Sequence, residues 1–337
     1  MDLVIGTDEA GYGPNLGPLT IGATAWWLED GAADLFEVLS HVYGRVGESS
    51  SQKITVGDSK QLFQPGAGLA KLEQAVLPLA TLCAQTGGQL DVLAWSEFCK
   101  LVAPNDNLML GMEHDNEPVS LPWYQGFDPV VPLDLSEEQV SDSAKIHQFE
   151  NLNRPLLQRV RWVEPGMFNR GCEQLGNKAT LLSHATLSLA KGLVSDVIRN
   201  NELRHGLPVQ RVFLQCDKHG GRNSYAGILQ SFYEDCWVQV IEESRESSAY
   251  RFTYEGIEYH WQFLAKGESH LPIALASMFA KYCREVSMEA FNRYWLNKDK
   301  SLKPTAGYPL DAKRFRKDID SLLPDLGLEE SHWWRFK

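Results

Sequence analysis

The segment Ile5-Gly6-Thr7-Asp8-Glu9-Ala10-Gly11-Tyr12-Gly13-Pro14 constrains this chain more than any other. Leu3 to Thr7 is a short apolar run that predicts a strand, and it leads directly into two carboxylates. Gly11 to Pro18 then reads as a shaped loop, dense in glycine and proline, before a second strand-like stretch from Leu19 to Leu28. Neighbouring side chains of a strand point to opposite faces, so Asp8 and Glu9 line one site only if the strand breaks there. The glycines permit a break and let backbone N–H groups approach a phosphate or a ribose. An acidic residue ahead of a glycine-rich turn also occurs without any catalytic role. This segment alone leaves both readings open.

Two further carboxylates stand in comparable places. Asp217 follows the apolar run Val212 to Leu214 and precedes Lys218-His219-Gly220-Gly221, so it lies at the C-terminal end of a predicted strand, where α/β sheets place ligands. It would equally serve as a loop aspartate that caps a helix. Glu268 lies in Lys266-Gly267-Glu268-Ser269-His270-Leu271-Pro272, just ahead of a long helical pattern, where its charge would also favour the helix dipole. His270 has no partner at a metal-ligand spacing. The six cysteines are scattered without a C-x-x-C pair, which excludes a zinc ribbon or a redox motif.

The rest of the pattern predicts a mixed α/β sheet. Leu69 to Cys83, Lys178 to Arg199, Tyr225 to Tyr233, Leu271 to Leu296 and Asp311 to Leu323 follow helical spacing. Asp91 to Trp95, Val209 to Leu214 and Trp237 to Ile241 read as strands, and Glu255-Gly256-Ile257 marks a hairpin over residues 251–263. No internal repeat is present, and no run approaches the roughly 20 apolar residues that span a bilayer. The N-terminus lacks the basic start of a signal peptide, so a cytoplasmic protein with no membrane contact is expected.

A net charge of −12 argues at face value against binding nucleic acid, but the charge is uneven. Residues 104–150 carry ten acidic side chains against Lys145 alone and lack periodicity, which predicts a long acidic loop or insertion. Residues 296–318 carry seven basic side chains against three acidic, enough for a basic face or a solvated helix surface.

Taken in order, these pieces resemble the type 2 ribonuclease H (ribonuclease HII) family. Its opening motif, G-x-D-E-A-G-R-G-P-x-x-G-P, is met by Gly6, Asp8, Glu9, Ala10, Gly11, Gly13, Pro14, Gly17 and Pro18 in one register. Its D-S-K motif is met by Asp58-Ser59-Lys60, and its third carboxylate by Asp217. Its G-D-x-x-x-P and A-A-S-x-x-A-K segments are met by Gly267 to Pro272 and by Leu275 to Lys281. Gly307-Tyr308 and His332 to Phe336 are weaker echoes of its final elements.

The resemblance implies a ribonuclease H-like mixed five-stranded sheet flanked by helices, with residues 1–297 as the catalytic domain and 298–337 as a helical C-terminal extension. Residues 104–150 and the hairpin at 251–263 would then be insertions. It further implies a hydrolase that cuts the RNA strand of RNA–DNA hybrids, with Asp8, Glu9, Asp217 and Glu268 holding Mg2+ or Mn2+. Gly11, Tyr12, Gly13, Lys60 and Tyr308 would contact the nucleic acid. Two departures stand out: Glu268 replaces an aspartate, and Tyr12 replaces the arginine of G-R-G. Tyrosine supplies neither the charge nor the forked donors of arginine, so junction specificity is expected to change.

Two rival readings compete. A sugar- or acetate-kinase-like phosphotransferase would use Gly6-Thr7-Asp8 and Asp217 to Gly221 as phosphate loops, but it leaves Asp58-Ser59-Lys60 and Ala276 to Lys281 unexplained. A non-catalytic nucleic-acid-binding protein on the same scaffold would explain Tyr12 and Glu268, but four unused buried carboxylates are costly to keep.

Overall fold

A computed structural model describes residues 2–48, 53–63, 68–84, 93–104, 121–135, 155–204 and 208–336. Its centre is a mixed sheet of seven strands: β1 (Asp2–Ala10), β2 (Leu19–Leu28), β3 (Pro155–Val163), β4 (Arg211–Asp217), β5 (Gln239–Glu243), β6 (Ser247–Tyr254) and β7 (Ile257–Leu264). They lie in the order β3-β2-β1-β4-β7-β6-β5. β1, β2 and β3 are antiparallel neighbours, whereas β1, β4 and β7 run parallel. The expected five strands are therefore joined by two more at one edge.

The segment read as an inserted hairpin is built into this sheet. β6 and β7 are longer than the 251–263 range, and β7 pairs on its other side with β4, so it is an interior strand. Alternation explains why it looked detachable. Tyr259, Trp261 and Phe263 are buried, while the residues between them stay partly exposed, as in a half-solvated hairpin.

The helices that brace the sheet and the C-terminal extension are α1 (Ala70–Ala84), α2 (Lys178–Arg204), α3 (Leu271–Lys298) and α4 (Pro309–Asp318). α2 covers one face of the sheet with Leu181, Leu182, Ala185 and Leu189. α3 covers the other and buries Leu271, Leu275, Met278 and Phe279. Pro272 opens α3, where its missing N–H is no loss.

The first half of α3 lies directly on the sheet because two strand glycines make room. A Cβ on Gly6 would overlap the Pro272 backbone, and one on Gly22 would overlap the Ala276 carbonyl. The threonines beside them bond to the same helix: Thr24 Oγ1 donates to the Pro272 carbonyl at 2.9 Å and Thr20 Oγ1 to the Ala280 carbonyl at 2.8 Å.

Part of the acidic segment is folded, contrary to the expected loop. Pro122–Tyr124 forms a turn of 3-10 helix, and Val130–Val131 pairs with Leu93–Ala94. Trp123 is buried against Phe291. The buried carboxylate of Glu73 on α1 accepts the amides of Leu133, Asp134 and Leu135 and the Tyr282 hydroxyl. Aromatic and backbone anchoring of this kind leaves no periodic trace in the sequence. Residues 105–120 and 136–154 lie outside the described residues. The strand read over Asp91 to Trp95 reduces to Leu93–Ala94 among them, with Trp95 opening a short helix. Among the described residues no helix is long and apolar enough to cross a membrane.

Gly22→Ala would push one backbone against another, which flexible side chains cannot absorb. It is expected to lower stability by about 3 kcal/mol, read as a fall in the urea midpoint at unchanged slope. A variant as stable as the parent would show that α3 is not held at backbone contact.

Candidate active site

β1 and β4 place two carboxylates side by side. Their parallel register pairs Thr7 with Cys216, so Asp8 and Asp217, one residue beyond the last pair, lie side by side on the same face. β7 ends opposite Asp217, and the chain then turns through Lys266, with φ of 62°, into the single 3-10 turn Gly267–Ser269. That turn brings in Glu268 and points the Gly267 amide at Asp217 Oδ1, 2.9 Å away.

Glu9 is placed differently from the expectation of a break at Asp8. β1 continues to Ala10, paired with β2 throughout, and the chain leaves the sheet only at Gly11, with φ of 85°. Glu9 therefore starts from the opposite face to Asp8, and its backbone amide donates to Asp8 Oδ1 at 2.7 Å. The longer glutamate side chain still feels both neighbouring carboxylates.

The electrostatics show one cluster. Burial, then the Asp217 charge, raises the Asp8 carboxyl above the ordinary aspartate range; a Ser277 hydrogen bond opposes this and Glu268 adds to it. Burial, then Asp8 and Asp217, raises Glu9 well above its ordinary range, and Lys60 opposes. Asp217 is raised by burial, held back by the Gly267 amide, and raised again by Glu268. Four acids from three chain segments thus share one field, with Lys60 as the cation that tempers Glu9 and Asp217.

The residues around the cluster join distant motifs. Asp58 caps the short helix Ser59–Leu62 by accepting from the Lys60 amide at 2.9 Å, which sets Lys60 at the rim. Ser59 Oγ meets Ser277 Oγ of α3 at 3.0 Å, and Ser277 in turn bonds to Asp8. Both serines belong to the family-like motifs, yet spacing alone could not show that they touch.

The Gly11–Pro18 loop rests on Arg284, a fully buried residue of α3 that no sequence motif marks. A Cβ on Gly11 would overlap its guanidinium, so this position requires glycine both for conformation and for space. Arg284 Nη2 donates to the Ala306 carbonyl at 3.0 Å, and its guanidinium sits 5.9 Å from the ring of Tyr308, which is 51% exposed. The amide of Asn15 donates to the Gly307 carbonyl at 2.8 Å, and the Arg335 amide donates to the Asn15 carbonyl at 2.8 Å. Tyr12 is half-buried on the loop, and Gly13 is exposed.

No protein-family model and no curated protein matches the sequence. Solved structures that align over nearly the whole chain include ribonuclease HII of Archaeoglobus fulgidus in its complex with PCNA. It is 12% identical, with a TM-score of 0.38 over 99% of this chain and 94% of that one. Ribonuclease H2 of Pyrococcus horikoshii is 12% identical, with a TM-score of 0.37 over 98% and 92%. Bst-RNase HIII in complex with Mn2+ is 15% identical, with a TM-score of 0.36 over 99% and 66%. The fold that the described residues show is a mixed α/β sheet with helices on both faces.

The donor set has the chemistry of a hard divalent cation site, with oxygen ligands only and a surplus of negative charge. Among the described residues no three His, Cys, Asp or Glu side chains are arranged as ligands of one ion. The carboxylates are electrostatic neighbours rather than a preset cage.

The raised acids make a signed prediction for the metal-free protein. A folded carboxyl pKa above the unfolded value favours the protonated fold, so its contribution is present below about pH 4 and is lost as pH rises through the folded value. For Asp8 the folded value is pushed up to about 8. In chelator, Asp8→Asn should therefore gain stability over the parent, on the order of 1–3 kcal/mol by pH 8, with the gap closing toward pH 5. Parallel melting curves across that range would contradict the coupling.

Proposed function

We propose that this protein is a metal-dependent endonuclease that hydrolyses the RNA strand of RNA–DNA hybrids. The observation that supports this best is the meeting of Asp8, Glu9, Asp217 and Glu268 in one field at the ends of adjacent parallel strands, with Lys60 at its rim. An isolated strand-end aspartate needs no such company, and repulsion among half-buried acids that Lys60 only partly offsets is a cost that function explains.

In this reading Asp8, Glu9, Asp217 and Glu268 hold Mg2+ or Mn2+, which when bound would supply charge neutralisation and an activated water. The protein's own groups do the remaining work. The Gly267 amide fixes the rotamer of Asp217 by bonding one carboxylate oxygen, and Ser277 does the same for Asp8. Ser59 bonds to Ser277 from outside the sheet, which links the short helix carrying Lys60 to the residue beside Asp8. Lys60 meets a backbone phosphate as a point charge. Gly11 seats the loop on Arg284, the exposed Gly13 lets its backbone approach the strand without a side chain in the way, and Tyr308 offers an exposed ring to a sugar or base. An RNA strand differs at the 2′-OH, which donors at this rim can read.

Residues 298–337 belong to the same assembly. Through Gly307 and Arg335 they fix the loop that carries Tyr12, which supports reading this extension as part of the substrate surface.

Asp217→Asn should abolish cleavage of a labelled hybrid in Mg2+ and in Mn2+ while the protein stays folded. Near-normal activity in a folded variant would remove Asp217 from the reaction. Tyr12 generates a separate expectation on kcat/KM for two substrates. The parent should favour continuous hybrids over a single ribonucleotide in duplex DNA, and Tyr12→Arg should shift that ratio toward the single ribonucleotide, on the order of 10²-fold if a charge-assisted clamp is restored. An unchanged ratio would show that this position does not set junction preference.

A further inference from the structure

Tyr12 is flanked by two cations that the carboxylate cluster does not use. Lys178 Nζ lies 5.0 Å from the centroid of the Tyr12 ring. Arg222, on the loop after β4, acts electrostatically on the same phenol, and so does Glu9, which ties this group to the edge of the acidic cluster. A Cβ on Gly220 would sit 2.9 Å from the Tyr12 hydroxyl, so the glycine lets the two loops close on each other.

Arg222 is held by built contacts. Arg222 donates its amide to the His219 carbonyl at 3.0 Å and its Nη2 to Thr180 Oγ1 at 3.1 Å. Thr180 is in the first turn of α2, two residues after Lys178, and its amide donates to Asn177 Oδ1 at 2.9 Å. One helical turn therefore carries Lys178 and anchors Arg222. Both cations are half-buried, and among the described residues neither forms an ion pair. Others in this acidic chain do, including Lys281 with Glu285 and Arg316 with Glu330. An anchored guanidinium with an ammonium near it, neither with a carboxylate partner, suits an external anion.

We propose that Lys178 and Arg222, together with the Tyr12 hydroxyl, bind one backbone phosphate of a nucleic-acid strand, adjacent to the phosphate that reacts at the carboxylates. This rests on the nuclease reading and adds a second anchor to it. Arg222 commits one nitrogen to Thr180 and keeps further N–H donors for phosphate oxygens; Lys178 adds a mobile point charge. Together with Lys60, which acts on Glu9 and Asp217, this pair would give the strand a further cationic anchor beside a centre that repels it.

The test measures binding rather than turnover. In an Asp217→Asn background with Mg2+, anisotropy of a labelled RNA–DNA hybrid gives Kd across a salt series. Adding Lys178→Gln and Arg222→Gln should weaken binding about 10-fold at low salt and reduce the slope of log Kd against log salt by about 1, as for one lost phosphate contact. Lys178→Arg with Arg222→Lys should keep the slope. An unchanged slope in the glutamine pair, or an equal loss in the charge-preserving pair, would overturn the phosphate site while leaving the nuclease reading standing. A parent protein that neither binds nor cleaves any hybrid would overturn both.

Discussion

The contact of α3 with the strands at Gly6 and Gly22 is the constraint on which the rest depends. Removing two side chains lets the helix backbone settle onto β1 and β2, and the threonines at 20 and 24 bond it there. A helix at this depth carries Ser277 to Asp8 and Arg284 beneath Gly11. A helix one side-chain layer further out would reach neither. The same packing thus sets the acidic cluster and the loop beside it, so stability and site geometry are one problem in this region.

Charge is the second organising term. The cluster gathers carboxylates where burial already penalises their ionised forms, and Lys60 offsets only part of the repulsion. Such an arrangement is tolerated when an external cation relieves it. A net charge of −12 is therefore a poor guide to what the protein binds. Lys60 couples to Glu9 and Asp217, and Lys178 and Arg222 flank Tyr12, so cations are gathered around the acids despite the net charge.

Much of this was legible in the sequence, and what was not has physical causes. Apolar runs leading to Asp8 and Asp217 mark two of the strands: β1 is buried on both faces before Asp8, and β4 on alternate residues up to Asp217. Glu268 and the long helix after it were equally plain. β7 was hidden, since its alternating pattern suits an edge hairpin as well as an interior strand, and which neighbour it pairs with is a non-local fact. The continuation of β1 through Glu9 was also hidden, because glycine two residues later permits a break without requiring one there. The fold of 121–135 rests on non-local anchors, among them Trp123 against Phe291 and the Glu73 carboxylate meeting three amides some sixty residues away, and composition reports only that the segment is acidic. Arg284 carries no motif of its own, and its place is set by what Gly11 lacks.

The central claim is that the clustered acids form a site whose repulsion a divalent cation relieves. Titrating Mn2+ into the protein while following its melting temperature tests this without any assumption about substrate. The account predicts a saturable rise in melting temperature that is larger at pH 8 than at pH 5, where protons compete for the same oxygens, and that disappears in the Asp8→Asn, Asp217→Asn double variant. A melting temperature indifferent to Mn2+ at both pH values, or an equal rise in the double variant, would contradict it.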